Sequence, residues 1–470
     1  MKDLHRNIFF LSKNKFFLNF MFLLALIILV EGFVSVAIEI LAIRQLLPVA
    51  GGSVIVTSLI IGIFLLFLAI GYKRGGILTD NLTVKLRKNF ILSAIGLGVG
   101  LSYFFILIFF YYIQKISGPH IIYPLIAYLL LVIAPLIYIL GQTLPITMNM
   151  AKQNKSVGQI GGDTLGLSTI GSFLGATFTA LILMQYFGVA ATVVINCALL
   201  LALAIALSKT YREILISSIF SFFILWFVFI LNVKMEQANF VMTNNYANYQ
   251  ILNSVSNEKI LVINNLYSSR LDQHNKGFPY IERIKKILFQ DMKLANAEIL
   301  VLGAGGFTLS AENSFGNHFT YVDIDSHIKN VAMPRFIRQI NGEFIADDAR
   351  HYLQISNKKY DVIIVDAYSN LKALPTQLST REYMRDVKMR LAIDGIAIFN
   401  IIANPMLVDA YSKCIDNTIR GTFKNCMVIP ERYSNQITNI LYVCRNASNQ
   451  NDNRTYTDNL NTATTDSFEW

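Results

Sequence analysis

Charge is scarce in this chain: Asp, Glu, Lys and Arg make up 15% of 470 residues, where an ordinary soluble protein carries about 25%. Apolar residues take 54% instead. That balance excludes a wholly soluble globular protein. Cysteine is as sparse. The four cysteines show no Cys-x-x-Cys spacing, so neither a zinc site nor a disulfide framework is expected. Cys197 lies in an apolar stretch, and Cys426 and Cys444 fall on what read as the last two strands, where the register decides whether they face each other. Six histidines without ligand spacing agree with the absence of a metal centre.

What charge there is lies unevenly. A net +10 would suit a nucleic-acid binder if it were spread along the chain. Met1 to Met235 holds 16 Lys and Arg against 6 Asp and Glu, while the remainder holds 24 of each. The surplus accompanies long apolar runs, so it is read against a bilayer, and no nucleic-acid partner is expected.

A hydrocarbon core about 30 Å thick needs about 20 apolar residues per helical crossing. Seven such runs occur, roughly Phe17 to Ile43, Val54 to Tyr72, Phe90 to Ile113, Ile121 to Leu140, Leu165 to Phe187, Ala190 to Leu207 and Ile214 to Val233. The first has a basic flank but is too long for a signal peptide and has no small-residue cleavage site, so it reads as an uncleaved span. Thirteen Lys and Arg sit before the first span and after the second, fourth and sixth, against Arg44 and Lys115 in the alternate loops. Basic loops stay cytoplasmic, which makes the amino terminus cytoplasmic. Seven crossings then put everything after Val233 on the far side, whereas the chemistry below prefers a cytoplasmic site, so that side stays open. Glu31 and Glu39 lie within the first span, and a carboxylate at bilayer depth is either functional or paired, Arg44 being near Glu39. Gly171 and Gly175 have the small-xxx-small spacing of close helix packing.

After residue 235 the composition turns to mixed charge, with β-branched runs alternating with helical patterns, the mark of a parallel sheet. Tyr249 to Val255 and Lys259 to Asn264 read as a β-hairpin within a lead-in over 236–297. Seven strands follow over 298–446: Glu298 to Leu302, Phe319 to Ile324, Phe344 to Ala346, Asp361 to Asp366, Gly395 to Ile401, Asn425 to Ile429 and Asn439 to Cys444. Residues 447–470 are polar and read as a disordered tail.

The chemistry gathers at strand ends. EILVLGAGG places Gly303, Gly305 and Gly306 after an apolar strand, where glycines let backbone approach a ligand. YVDID follows with Asp323 at the spacing of a ribose-binding acid. Asp347 and Asp348 end the third strand, and YDVIIVDAYSN points Asp366 out of the fourth. A single such acid, Asp347 or Asp325 for example, could be a helix cap. The ordered series points to a nucleoside site. Arg381 and Glu382 read as an ion pair or helix-start contact.

VLGAGG, YVDID, DDARHYL, YDVIIVDAYS and LSTREYMRDVKMRLAIDGIAIFNI, in that order, resemble the spermidine synthase family of polyamine aminopropyltransferases. EGFVSVAIEILAIRQL, GIFLLFLAIGYKRGGILTD and GQTLPITM resemble its integral-membrane branch, in which such a domain is fused to a helical bundle. The resemblance implies a transmembrane bundle of about seven spans followed by a Rossmann-like α/β domain of the class I methyltransferase/spermidine synthase fold. It implies decarboxylated S-adenosylmethionine or S-adenosylmethionine as co-substrate and no metal. Gly303, Gly305 and Gly306 would line the nucleoside's tail, Asp323 would bind the ribose, and Asp348 with the backbone of Ala349 the adenine. Asp366 would be the catalytic carboxylate, and Tyr280, Glu282 and Ser369 would face the acceptor, an amine or polyamine. The departures fall on the acceptor side: Ile281 stands for a His, Ser268 for a Gln and Ser369 for a second acid, while Phe307 interrupts the glycine run. A membrane-bound transferase moving an aminopropyl or methyl group to a nucleophilic acceptor is expected, seated in the bilayer, with no nucleic-acid partner and with a homodimer allowed. Two alternatives stay open: a transporter or sensor bundle with a degenerate nucleoside-binding regulatory domain, and a methyltransferase acting on a lipid or membrane substrate.

Overall fold

In the computed structural model the described residues are 2–118, 120–151, 156–254, 257–311, 315–368, 374–423, 425–445, 455 and 457–458, with side chains from residue 20 onward. Ser369 and nearly all of the tail expected over 447–470 lie outside them. The chain divides into two units, with the boundary between Asn239 and Phe240.

In the first unit, helices Phe20–Ala50, Val54–Ile77, Ile122–Met150, Val157–Phe187, Val189–Ala206 and Tyr211–Asn239 are each long and apolar enough to cross a membrane. The run expected as one continuous span from Phe90 to Ile113 is instead a pair, Leu82–Gly100 and Tyr103–Ser117, bent by 70°. A break in a membrane helix frees carbonyls that lipid cannot satisfy, and side chains take them up here. Asn232 Nδ2 donates to Gly98 O at 2.8 Å, the Tyr128 hydroxyl to Gly100 O at 2.7 Å, and Gln45 Nε2 to Leu101 O at 3.1 Å. Gly171 and Gly175 serve packing: a Cβ there would stand 2.1 Å from Leu29 O and 2.3 Å from Phe33 O of the first span. Glu31, buried in that span, accepts a hydrogen bond from Ser35 Oγ at 2.9 Å.

The second unit opens with an antiparallel sheet in the order β1-β2-β3-β4, formed by Met242–Thr243, Asn248–Asn253, Lys259–Ile263 and Leu266–Leu271. The expected hairpin is β2 and β3. Its extra strand β4 carries the polar run Ser268, Ser269 and Arg270, which hides it from an apolar-alternation reading. Seven further strands follow: β5 (Glu298–Leu302), β6 (His318–Asp323), β7 (Glu343–Ala346), β8 (Tyr360–Val365), β9 (Leu391–Ala403), β10 (Asn425–Pro430) and β11 (Thr438–Arg445). They lie in the order β10-β11-β9-β8-β5-β6-β7. The strands from β5 to β9 pair in parallel, and β11 runs antiparallel between β9 and β10.

A parallel sheet covered on both faces needs near-continuous apolar strands, and EILVL and YDVIIV supply them. Leu300, Leu302, Ile363, Val365 and Phe399 pack on one face against Leu353, Met384 and Ile415, while Ile299, Val301, Val362, Ile364 and Ile398 pack on the other against Ile284, Leu288 and Ile328. Each such side chain, fully buried, contributes about 1.5–3 kcal/mol. The chain leaves β5 toward β6 on one side and returns to β8 on the other. That switch opens a crevice at the carboxyl ends of β5 and β8.

The cysteine expectation needs correcting. The register sets Cys426 of β10 opposite Cys444 of β11, with Cα atoms 4.0 Å apart, and the two form a disulfide. The Arg381–Glu382 pairing also gives way to another arrangement. Arg381 donates to Thr455 Oγ1 at 2.8 Å, and Glu382 Oε2 accepts the Asp458 N–H at 3.2 Å. Asp458 also pairs with Arg350 at 2.6 Å.

Candidate active site

The crevice is built by backbone that only its glycines allow. Gly303 follows β5 at φ +98°, with its N–H on Val322 O, and the Asp366 N–H reaches Leu302 O, both at 2.9 Å. The ends of β5 and β8 therefore touch, and a Cβ on Gly303 would stand 2.3 Å from the Asp366 carbonyl oxygen. Phe307, which follows the glycine run, keeps the left-handed backbone a glycine would take, at φ +59°. Its ring is fully buried, 4.9 Å from Tyr321 and 5.8 Å from Phe344. Packing of that ring offsets the roughly 1–2 kcal/mol a non-glycine loses there.

Asp323, at the end of β6, closes the turn. Its Oδ2 accepts the Ala304 N–H at 2.9 Å and its Oδ1 the Asp325 N–H at 3.0 Å. Burial pushes its carboxyl up to about 6, against the pull of those N–H donors. From β4, Ser269 Oγ accepts the Gly306 N–H at 2.8 Å. The sequence singled out Ser268; the serine bonded to the glycine turn is its neighbour, Ser269.

Asp366 stands just beyond β8, and each of its oxygens has a donor. The Tyr280 hydroxyl donates to Oδ2 at 3.0 Å, and Asn400 Nδ2 donates to Oδ1 at 2.7 Å. Burial raises the Asp366 carboxyl above the usual carboxylate range, while Asn400 and Tyr280 hold it down. Burial, then the neighbouring Asp366 charge, raises the Tyr280 phenol well above its ordinary value. Asn400 was legible in principle, since it is the one polar side chain in the run IAIFNIIA of a central strand, where a buried amide needs partners.

The remaining expected residues sit as follows. Asp348 caps helix Ala349–Ile355, its Oδ1 accepting the N–H groups of Arg350 and His351, and so places Ala349 at the first helical position. Asp347 pairs with the His351 ring at 2.8 Å. Asp325 is a buried anchor that accepts from Asn244 Nδ2 and the Tyr249 hydroxyl, both at 2.6 Å. Glu282 is the exception among the acceptor candidates: its Oε1 accepts the Gly277 N–H at 2.7 Å and Lys285 Nζ at 3.0 Å, which fixes the start of helix Pro279–Lys285. Among the described residues, no group of three or more His, Cys, Asp or Glu is arranged to hold a metal ion.

Residues 277–453 match the family model described as the spermine/spermidine synthase domain. The chain is 28% identical over 169 residues to the polyamine aminopropyltransferase of Vibrio vulnificus (strain CMCP6), covering 34% of this chain and 54% of that one. It is 25% identical over 211 residues to the probable polyamine aminopropyl transferase of Bifidobacterium longum (strain NCC 2705), covering 44% and 47%. The chain thus spans about half the length of these curated relatives. A crystal structure of a probable spermidine synthase from Corynebacterium glutamicum ATCC 13032 superposes with a TM-score of 0.38 at 20% identity, over 42% of this chain and 77% of that one. The glycine turn, Asp323 and Asp366 all fall within the residues that match the spermine/spermidine synthase domain.

Proposed function

We propose that the α/β domain binds S-adenosylmethionine or its decarboxylated form and transfers a carbon group from the sulfonium to an amine, with Asp366 as the base. The observation that carries this reading is Asp366 itself, whose carboxylate at the sheet's switch point is held on both oxygens and whose backbone packs on the glycine turn. An amine must lose a proton to attack the carbon beside a sulfonium, and a placed carboxylate can orient it and take that proton. The nitrogen lone pair forms the new C–N bond, the C–S electron pair returns to sulfur as a neutral thioether, and Asp366 accepts the proton.

The residues present fit such a nucleoside. The turn at Gly303, Gly305 and Gly306 would line its tail with backbone, Asp323 would bind the ribose hydroxyls, and Asp348 with Ala349 the adenine. Tyr280 would stand beside the acceptor. The sulfonium leaves without help, so no role falls to a metal. The partners in this reading are the bilayer and a small amine or polyamine, with no nucleic acid. Lys152 and Lys155 follow the span after the bent pair, so the positive-inside pattern counts that pair as one crossing. Seven crossings then leave the amino terminus cytoplasmic and bring the α/β domain out on the opposite face.

Calorimetric titration of the detergent-purified chain with both nucleosides and with methylthioadenosine tests the reading. Binding is expected at pH 7.5 and should weaken as pH falls through about 6, where Asp323 gains a proton. The fold responds in the opposite sense. Asp323 holds its proton more tightly folded than unfolded, where the value is about 3.9, so protonation adds stability between about pH 6 and pH 4. Thermal unfolding at pH 5.5 then separates weaker binding from loss of fold. Binding of none of the three by folded protein overturns the reading. Released methylthioadenosine marks aminopropyl transfer; released S-adenosylhomocysteine marks methyl transfer.

A further inference from the structure

Asn400 lies on β9, 1% exposed, and bridges two side chains. Its Nδ2 donates to Asp366 Oδ1 at 2.7 Å, and its Oδ1 accepts from Asn439 Nδ2 of β11 at 3.0 Å. An amide has a donor end and an acceptor end. With Asn439 donating to the oxygen, only the donor end is left for Asp366. Turned over, Asn400 would set its oxygen against a carboxylate oxygen and its NH2 against the NH2 of Asn439, losing both bonds.

The same strand holds the chain that leaves Asp366. The Tyr368 hydroxyl donates to the Asn400 carbonyl at 3.0 Å and accepts the Ile402 N–H at 2.7 Å. The ionisable groups around the carboxylate are the Tyr280 and Tyr368 hydroxyls and, beyond Tyr280, the Glu431 carboxylate at the end of β10. Among the described residues none of the ion pairs involves Asp366. Its negative charge therefore depends on two neutral donors, and β11 sets the orientation of one of them.

We propose that Asn439 and Asn400 form a positioning relay, in which β11 locks the Asn400 amide so that it aims Asp366 and favours its ionised form. The relay rests on the reading of Asp366 as base. A charge-assisted hydrogen bond is about twice as strong as a neutral one, so its loss should read as a fall of about tenfold to a hundredfold in turnover.

The test compares Asn439→Leu, Asn439→Asp and Asn400→Leu in the full chain, measuring nucleoside affinity, thermal stability and kcat against pH with decarboxylated S-adenosylmethionine and putrescine. Asn439→Asp keeps the shape but offers Asn400 an acceptor, which turns the amide over. Asn439→Leu and Asn439→Asp, neither of which touches Asp366, should keep nucleoside affinity within about twofold and lose turnover by about tenfold to a hundredfold. An unaided Asp366 holds its proton to higher pH, and it works only when ionised. The acid limb of kcat should therefore move upward in pH in all three variants. In an Asp366→Asn background Asn439→Leu should change nothing further. Unchanged kcat and acid limb in folded Asn439→Leu and Asn439→Asp overturn the relay, while full turnover in Asp366→Asn overturns the base assignment beneath it.

Discussion

Asp366→Asn is expected to lower turnover by about 10²–10⁴-fold, the usual contribution of a positioned general base, with nucleoside affinity unchanged. The substitution is nearly isosteric, so the glycine turn packed on the Asp366 backbone is undisturbed. The amide cannot accept a proton from the attacking amine. It also presents an NH2 to a place where Asn400 or Tyr280 already donates, so one of those hydrogen bonds is lost or reversed. Single-turnover measurement with saturating donor isolates the chemical step from binding. Retained turnover would move the base elsewhere in the crevice.

Gly303→Ala is expected to cost the α/β domain about 3 kcal/mol or more, from an overpacked contact added to a left-handed backbone. The new Cβ would stand 2.3 Å from the Asp366 carbonyl oxygen and 2.8 Å from its carbon, and backbone at the end of a central strand has little freedom to withdraw. Gly305→Ala is the comparison. Its Cβ would meet only side-chain atoms, Ser269 Oγ at 3.0 Å and Ser268 Oγ at 3.5 Å, which can give way more easily than backbone. Denaturant unfolding of the full chain in detergent should separate the two, with the large loss confined to Gly303→Ala. Equal losses would show that backbone conformation, and not the contact between β5 and β8, dominates.

Much of the α/β domain could be read from sequence because apolar strands ending in acids carry a period that solvent and sheet both enforce. EILVL and YDVIIV mark β5 and β8 to within a residue. The failures have a common cause, which is that the deciding partner is remote in sequence. Ser269 matters through Gly306, and Asn400 through Asp366 and Asn439. Neither pairing leaves a local trace. The bend after Gly100 escaped for the same reason: Phe90 to Ile113 is apolar throughout, and the break is made tolerable by Asn232, Tyr128 and Gln45. Glu282 misled in the other direction, since a motif position was filled by a residue that serves the helix start.

The Cys426–Cys444 bond bears on where this site can work. Disulfides persist in oxidising compartments and are rare where glutathione and thioredoxin keep thiols reduced. An oxidising compartment agrees with the far-side placement proposed above for the α/β domain, by a separate argument. Alkylating intact cells before lysis and mapping the peptides should recover residues 426 and 444 linked; free thiols at both would return the domain to a reducing compartment.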